Sequence, residues 1–131
     1  MIGLDSNILI RYLTSDDPAQ SPKAVALIER QLTMGNPGFI SNVALAETVW
    51  TLKRFYRFSD SAITLAVERI LRIESLVVQN EPQVFAAMIA LKNGLGEFGD
   101  ALIEALGAKA GCTHTLTFDR GASRLPGFEL L

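Results

Sequence analysis

Four carboxylates occupy positions where an alternating α/β chain concentrates its chemistry. Asp5 closes the short apolar run Ile2-Gly3-Leu4, and Asp119 closes the β-branched and aromatic run 113–118. Glu47 falls on the second turn of a helix after a strand at 39–41, and Asp100 in the first turn of a helix after a glycine-rich break. In open parallel sheets, ligands sit beyond the carboxyl ends of the strands. Parallel strands joined by right-handed crossovers would hang all four acids near one end of the sheet. Carboxylates gathered in this way repel one another unless protons or cations intervene. An oxygen-only set without His or Cys suits Mg²⁺ or Mn²⁺ and not zinc. Two such ions about 3.5–4 Å apart serve in-line phosphodiester chemistry. Any one of these acids has a plainer explanation, since Asp after a strand also caps a helix for about 1 kcal/mol. Four together favour chemistry.

The elements that must position them follow from hydrophobic period and punctuation. After Asp5, Ser6-Asn7 gives a capping signal, and Ile8, Leu9, Tyr12 and Leu13 recur at helical spacing. A turn at 14–20 leads to Ser21-Pro22, a cap followed by proline at a first helical position. That helix runs through Ala24, Leu27, Ile28 and Leu32 and stops at 35–38. A strand at 39–41 precedes a helix capped by Asn42 that ends near Tyr56. Ser59 opens a helix whose Ile63, Ala66, Val67, Ile70 and Leu71 follow the i, i+3, i+4, i+7, i+8 rule. A strand at 76–78, a helix begun near Pro82, a break at 94–96 and a helix over 98–110 follow. Strand 113–118, a turn or short helix at 119–124 and an edge strand at 128–131 complete the pattern. Alternation of this kind predicts a three-layer α/β/α sandwich with a parallel central sheet, and residues 1–131 read as a single domain.

Composition bounds the rest. At 131 residues and 49% hydrophobic, the chain is too apolar to be disordered and long enough to bury about two-thirds of its unfolded surface. The one cysteine, Cys112, excludes an internal disulfide and a thiolate cage. No apolar run approaches the roughly 20 residues needed to span a bilayer. Met1-Ile2-Gly3-Leu4-Asp5 lacks a basic leader, so a soluble, cytoplasmic protein without membrane attachment is expected. A net charge of -2 removes the simplest case for nucleic acid, although bound divalent cations would offset it.

The acids also sit in recognisable surroundings. Asp5-Ser6-Asn7 resembles the D-[TS]-N signature of PIN-domain nucleases, and Glu47 within 41–47 resembles their second acid. Phe98-Gly99-Asp100-Ala101-Leu102-Ile103 resembles the segment carrying the third, and Thr117-Phe118-Asp119 that carrying the fourth. Leu125-Pro126-Gly127-Phe128 is similar to a tail many members share. The ordered set covers essentially the whole chain, and its compact form is similar to VapC-type toxins of toxin–antitoxin pairs. This resemblance implies a metal-dependent ribonuclease acting through Asp5, Glu47, Asp100 and Asp119, with Mg²⁺ or Mn²⁺ as cofactor. It implies water attack in line at phosphorus, leaving 5′-phosphate and 3′-hydroxyl ends. Ser6 and Asn7 are candidates to orient Asp5 or touch the substrate, or simply to cap the first helix. RNA substrate and a small antitoxin are the partners it implies, with a PIN ribonuclease of RNA processing as the alternative. A homodimer is expected from the apolar excess of the stripes at 63–71 and 84–91 together with Trp50, a surface equally suited to antitoxin capture. Where members often carry aspartate three places before the third acid, Glu97 stands here. Glu97 and Glu104 share a helix face with Asp100; Glu104 is expected in solvent and Glu97 is left open.

Other signals compete less well. Gly94-Leu95-Gly96-Glu97-Phe98-Gly99 matches G-x-G-x-x-G but follows a helix, so its glycines are better read as bringing Asp100 into the cleft. His114 beside Cys112 lacks the third group a nucleophilic pair needs. A phosphohydrolase would want an acid where Asn7 stands, and a receiver module a lysine near Asp119. A non-catalytic interaction module would not need four acids. The run Lys53-Arg54-Phe55-Tyr56-Arg57 either complements a helix C-terminus or meets an RNA backbone and its bases.

Overall fold

The computed structural model describes residues 1–131. Strands and helices alternate as the period requires. Strand β1 (Ile2–Gly3) leads to α1 (Ser6–Thr14) and α2 (Gln20–Ala26), then β2 (Gly38–Ile40), α3 (Asn42–Arg54) and α4 (Asp60–Arg72). Strand β3 (Leu76–Val78), α5 (Glu81–Lys92), α6 (Phe98–Lys109), β4 (Thr115–Thr117) and β5 (Phe128–Leu130) follow. Every strand pair is parallel, and the helices complete the α/β/α sandwich.

The hydrogen-bonded ladders form two groups, β1-β2-β3 and β4-β5, where one continuous sheet was expected. Short strands explain the break. With two residues in β1 and three in β4, each offers few backbone groups along its outer edge. Leu4, Ile40 and Val78 are buried on one face of the larger group, and Phe39 and Val77 lie less covered on the other.

Caps fall one or two residues from their expected places. Asp5 caps α1, its Oδ1 accepting from the Ser6 amide at 2.7 Å, so neither Ser6 nor Asn7 is the cap. Ser41, not Asn42, caps α3 by accepting from the Ala44 amide at 3.1 Å. Ser21 is buried inside α2, and Asp17 takes the amides of Ala19 and Gln20 instead. Several short polar residues in a row each offer the same capping chemistry, and only the chain's entry angle selects one. Ser59 caps α4 as expected. Beyond α2 a π-helical turn, Leu27–Gln31, closes with the Leu32 amide donating to the Leu27 carbonyl at 2.9 Å, burying both Ile28 and Leu32.

The core gathers the apolar stripes of α3, α4, α5 and α6 around Leu45, Leu52, Ile63, Val67, Val84 and Leu102. Burying each such side chain contributes about 1.5–3 kcal/mol relative to solvent. The α5–α6 link serves the site directly. Gly94 turns at φ +70°, which L side chains rarely adopt, and a Cβ on Gly96 would press within 2.9 Å of Leu125. No helix is long and apolar enough to cross a membrane.

Candidate active site

The four acids come from different ends of elements. Asp5 follows β1, Glu47 lies on the second turn of α3, Asp100 in the first turn of α6, and Asp119 just beyond β4. Asp5 and Glu47 are joined through one hydroxyl. Ser6 Oγ donates to Glu47 Oε2 at 3.0 Å and lies 3.4 Å from Asp5 Oδ1. The exchange of caps makes this possible, because Asp5 satisfies the helix amide and leaves the Ser6 side chain free.

Asp100 and Asp119 are coupled by charge. Burial raises the Asp100 carboxyl above its usual range, and the negative charges of Asp119 and Glu97 push it further the same way. Asp119 Oδ1 accepts from the Gly121 amide at 2.7 Å and more weakly from Ala122 at 3.3 Å, fixing the loop after β4. Glu97 is held elsewhere, with Lys53 Nζ 3.1 Å from its Oε1; the same ammonium reaches Asp60 at 3.7 Å. None of Asp5, Glu47, Asp100 or Asp119 has a basic partner.

This donor set fits a hard divalent cation. It is carboxylate oxygen throughout, left unneutralised by the chain, and it contains one acid already disfavoured as an anion. No three of these side chains stand close enough to hold an ion, and Asp5, Glu47 and Asp119 each turn an oxygen to a neighbour within the chain. Each keeps its second carboxylate oxygen free of such bonds.

A model of the PIN domain matches residues 2–127, nearly the whole chain. The chain belongs to the PIN domain family. PIN domains are generally nucleases, acting on nucleic acid with divalent metal ions. Among curated proteins, none matches this PIN domain. The family leaves no reason to pursue phosphohydrolase or receiver chemistry on the same architecture.

Other candidates fall into place around this PIN domain's acids. Asn7 lines a cleft between α1 and α2 with Ile8, Arg11 and Lys23, away from the Asp5–Ser6–Glu47 link. Glu104, expected in solvent, is half-buried against the backbone of Gly127, where a Cβ would collide with it. His114 Nδ1 meets Thr113 Oγ1 at 2.9 Å and its Nε2 lies 3.8 Å from Glu129, leaving exposed Cys112 without a partner. Two groups escaped sequence reasoning. Lys53 is an ion-pair anchor for Glu97, and Tyr56 donates to Asp16 at 2.7 Å instead of offering its ring to solvent. The i, i+4 and i, i+3 rules cover contacts along one helix, and both of these reach across to other elements.

Proposed function

We propose that this PIN domain is a ribonuclease in which Asp5, Glu47, Asp100 and Asp119 hold Mg²⁺ or Mn²⁺, and that residues 1–131 form its single nuclease domain. One observation carries the reading: four carboxylates at the family's motif positions lack any cation from the chain, and Asp100 is raised by burial and by Asp119 and Glu97. A divalent cation bound there supplies the positive charge that stabilises a phosphodiester undergoing in-line attack by water. Ser6 orients Asp5 and Glu47 toward each other through its hydroxyl. Asp119, anchored by the amides of Gly121 and Ala122, keeps its second oxygen free of hydrogen bonds. Lys53 restrains Glu97, whose charge still bears on Asp100.

The biological setting we propose is a cytoplasmic VapC-type toxin, forming a homodimer and silenced by a small antitoxin. Support lies in the motif resemblance and in apolar side chains left in solvent, Leu65 on α4 and Phe85 on α5. The nuclease reading is tested by incubating purified chain with RNA, with and without EDTA, and re-adding Mg²⁺ or Mn²⁺. Cleavage lost in chelator and restored by either ion is expected, with 5′-phosphate products. The toxin reading is tested separately by expressing the chain with and without its neighbouring small gene. Growth arrest relieved by the partner is expected; no toxicity and no copurifying partner contradict the toxin role alone.

A further inference from the structure

Helix α3 carries more than Glu47 along its outer face. Val43, Glu47, Trp50 and Arg54 recur at helical spacing and form one exposed stripe. Trp50 is 58% exposed and Phe55, at the helix end, 67% exposed. Their rings meet edge-on, centroids 5.6 Å apart and planes at 75°, and the Arg54 guanidinium lies 5.8 Å from the Trp50 ring centre. Single exposed apolar residues need no explanation, but two adjoining aromatics held in solvent do.

The surrounding charges decide what these rings would meet. In the run 53–57, Lys53 is spent on Glu97 and Asp60, and the Tyr56 hydroxyl on Asp16. Arg54 and Arg57 have no carboxylate partner. Trp50 also borders a cleft of about 100 Å³ with Lys53, Glu97, Phe98 and Gly99, the segment that leads into Asp100. Trp50 therefore stands on the helix of Glu47 and borders the approach to Asp100, with Phe55 against its edge. Arg54 stands over the Trp50 ring and Arg57 follows Phe55 by two residues, both without a carboxylate. Such cations with exposed aromatics match a polyanion whose bases are unpaired.

We infer that Trp50 and Phe55, flanked by Arg54 and Arg57, form a stacking platform for single-stranded RNA beside the acids. This rests on the ribonuclease reading above. Any base offers a π-face, so stacking tolerates sequence but requires bases that are not already stacked in a duplex. The arginines neutralise neighbouring phosphates, which makes binding salt-dependent. The platform thus selects unpaired over paired RNA and acts on substrate binding, not on the reacting phosphate.

Trp50 is the chain's one tryptophan, so its fluorescence reports this surface alone. The full chain, kept in EDTA, is titrated with a mixed-sequence single-stranded RNA and with the same sequence as a duplex. Quenching by the single strand at concentrations where the duplex has no effect is expected. Phe55→Ala should weaken that binding about tenfold. With cation restored, Trp50→Ala should raise KM about tenfold at little change in kcat, and Trp50→Phe should recover much of the loss. An unquenched Trp50 in a chain that cleaves RNA overturns the platform, as does an unaltered KM in folded Trp50→Ala. So does a hydrodynamic mass that doubles with concentration and falls back to one chain in Trp50→Ala, which assigns the rings to a second copy. Quenching without cleavage in any divalent cation supports the platform and contradicts the catalytic reading instead.

Discussion

Asp16 and Asp100 begin with the same intrinsic acidity and end in opposite places. Asp16, on the open turn after α1, accepts from Thr14 Oγ1 and Tyr56 Oη at 2.7 Å each and from Arg11 at 3.1 Å. The Thr14 and Tyr56 hydroxyls foremost, with Arg11 beside them, hold its carboxyl down at about 2. Asp100 is less exposed, has no hydrogen bond or ion pair, and is raised by burial and by Asp119 and Glu97. Where a carboxylate serves the fold, the chain surrounds it with donors. Lys53 is committed to Glu97 and Asp60, and no basic side chain pairs with Asp100. A charge left uncompensated in this way is one that an external cation can satisfy.

The contrast can be broken at either end. Asp5→Asn and Asp100→Asn should each lower RNA cleavage by about a hundredfold or more, since removing one ligand disables the set. Full activity in both purified variants would remove these residues from the site. The fold should survive both changes, and Asp100→Asn should melt no lower than the parent in EDTA, because a raised carboxylate is a liability without its cation. Asp16→Asn should melt lower at neutral pH, the opposite sign.

Ser6→Ala should weaken cation binding about tenfold by releasing Glu47 and Asp5 from their shared hydroxyl, measured by titration calorimetry. A smaller effect is expected at Lys53. Lys53→Met frees the Glu97 charge beside Asp100, so the Asp100 carboxyl should move further up, read by side-chain NMR titration. The smallest concerns the fold alone. Tyr56→Phe removes the hydroxyl that donates to Asp16 and accepts from Arg11, and should lower the chemical denaturation midpoint slightly. The pH dependence has a definite sign: Asp16 is lowered in the fold, so its contribution is full above the usual 3.8 and disappears as pH falls toward about 2. Asp16→Asn should flatten that part of the stability profile.

Much of this was legible from residue types. Capping residues, helical period and glycine or proline breaks located the helices, and the rule that acids follow strands put Asp5 beyond β1 and Asp119 beyond β4. Asp5 replacing Ser6 as the cap was not legible, because Asp, Ser and Asn have nearly equal capping preference. That small difference frees the Ser6 hydroxyl for Glu47, forty-one residues away. Lys53 reads as part of a basic run and becomes an anchor only when α6 brings Glu97 beside α3. The separation of β4-β5 from β1-β2-β3 depends on how few backbone groups the short strands can offer, which hydrophobic pattern does not encode.

Thermal melting of the metal-free chain against Mn²⁺ tests the central claim most directly, because it reads cation binding without needing the right RNA. A ligand that binds only the folded state raises its stability by about 2.7 kcal/mol at a hundred times its Kd. The parent chain should therefore gain several degrees in Tm, saturably, while Asp100→Asn gains little and Asp16→Asn gains as much as the parent. An unchanged Tm in the parent at millimolar Mn²⁺, or an equal gain in Asp100→Asn, would contradict the assignment of these acids to a cation.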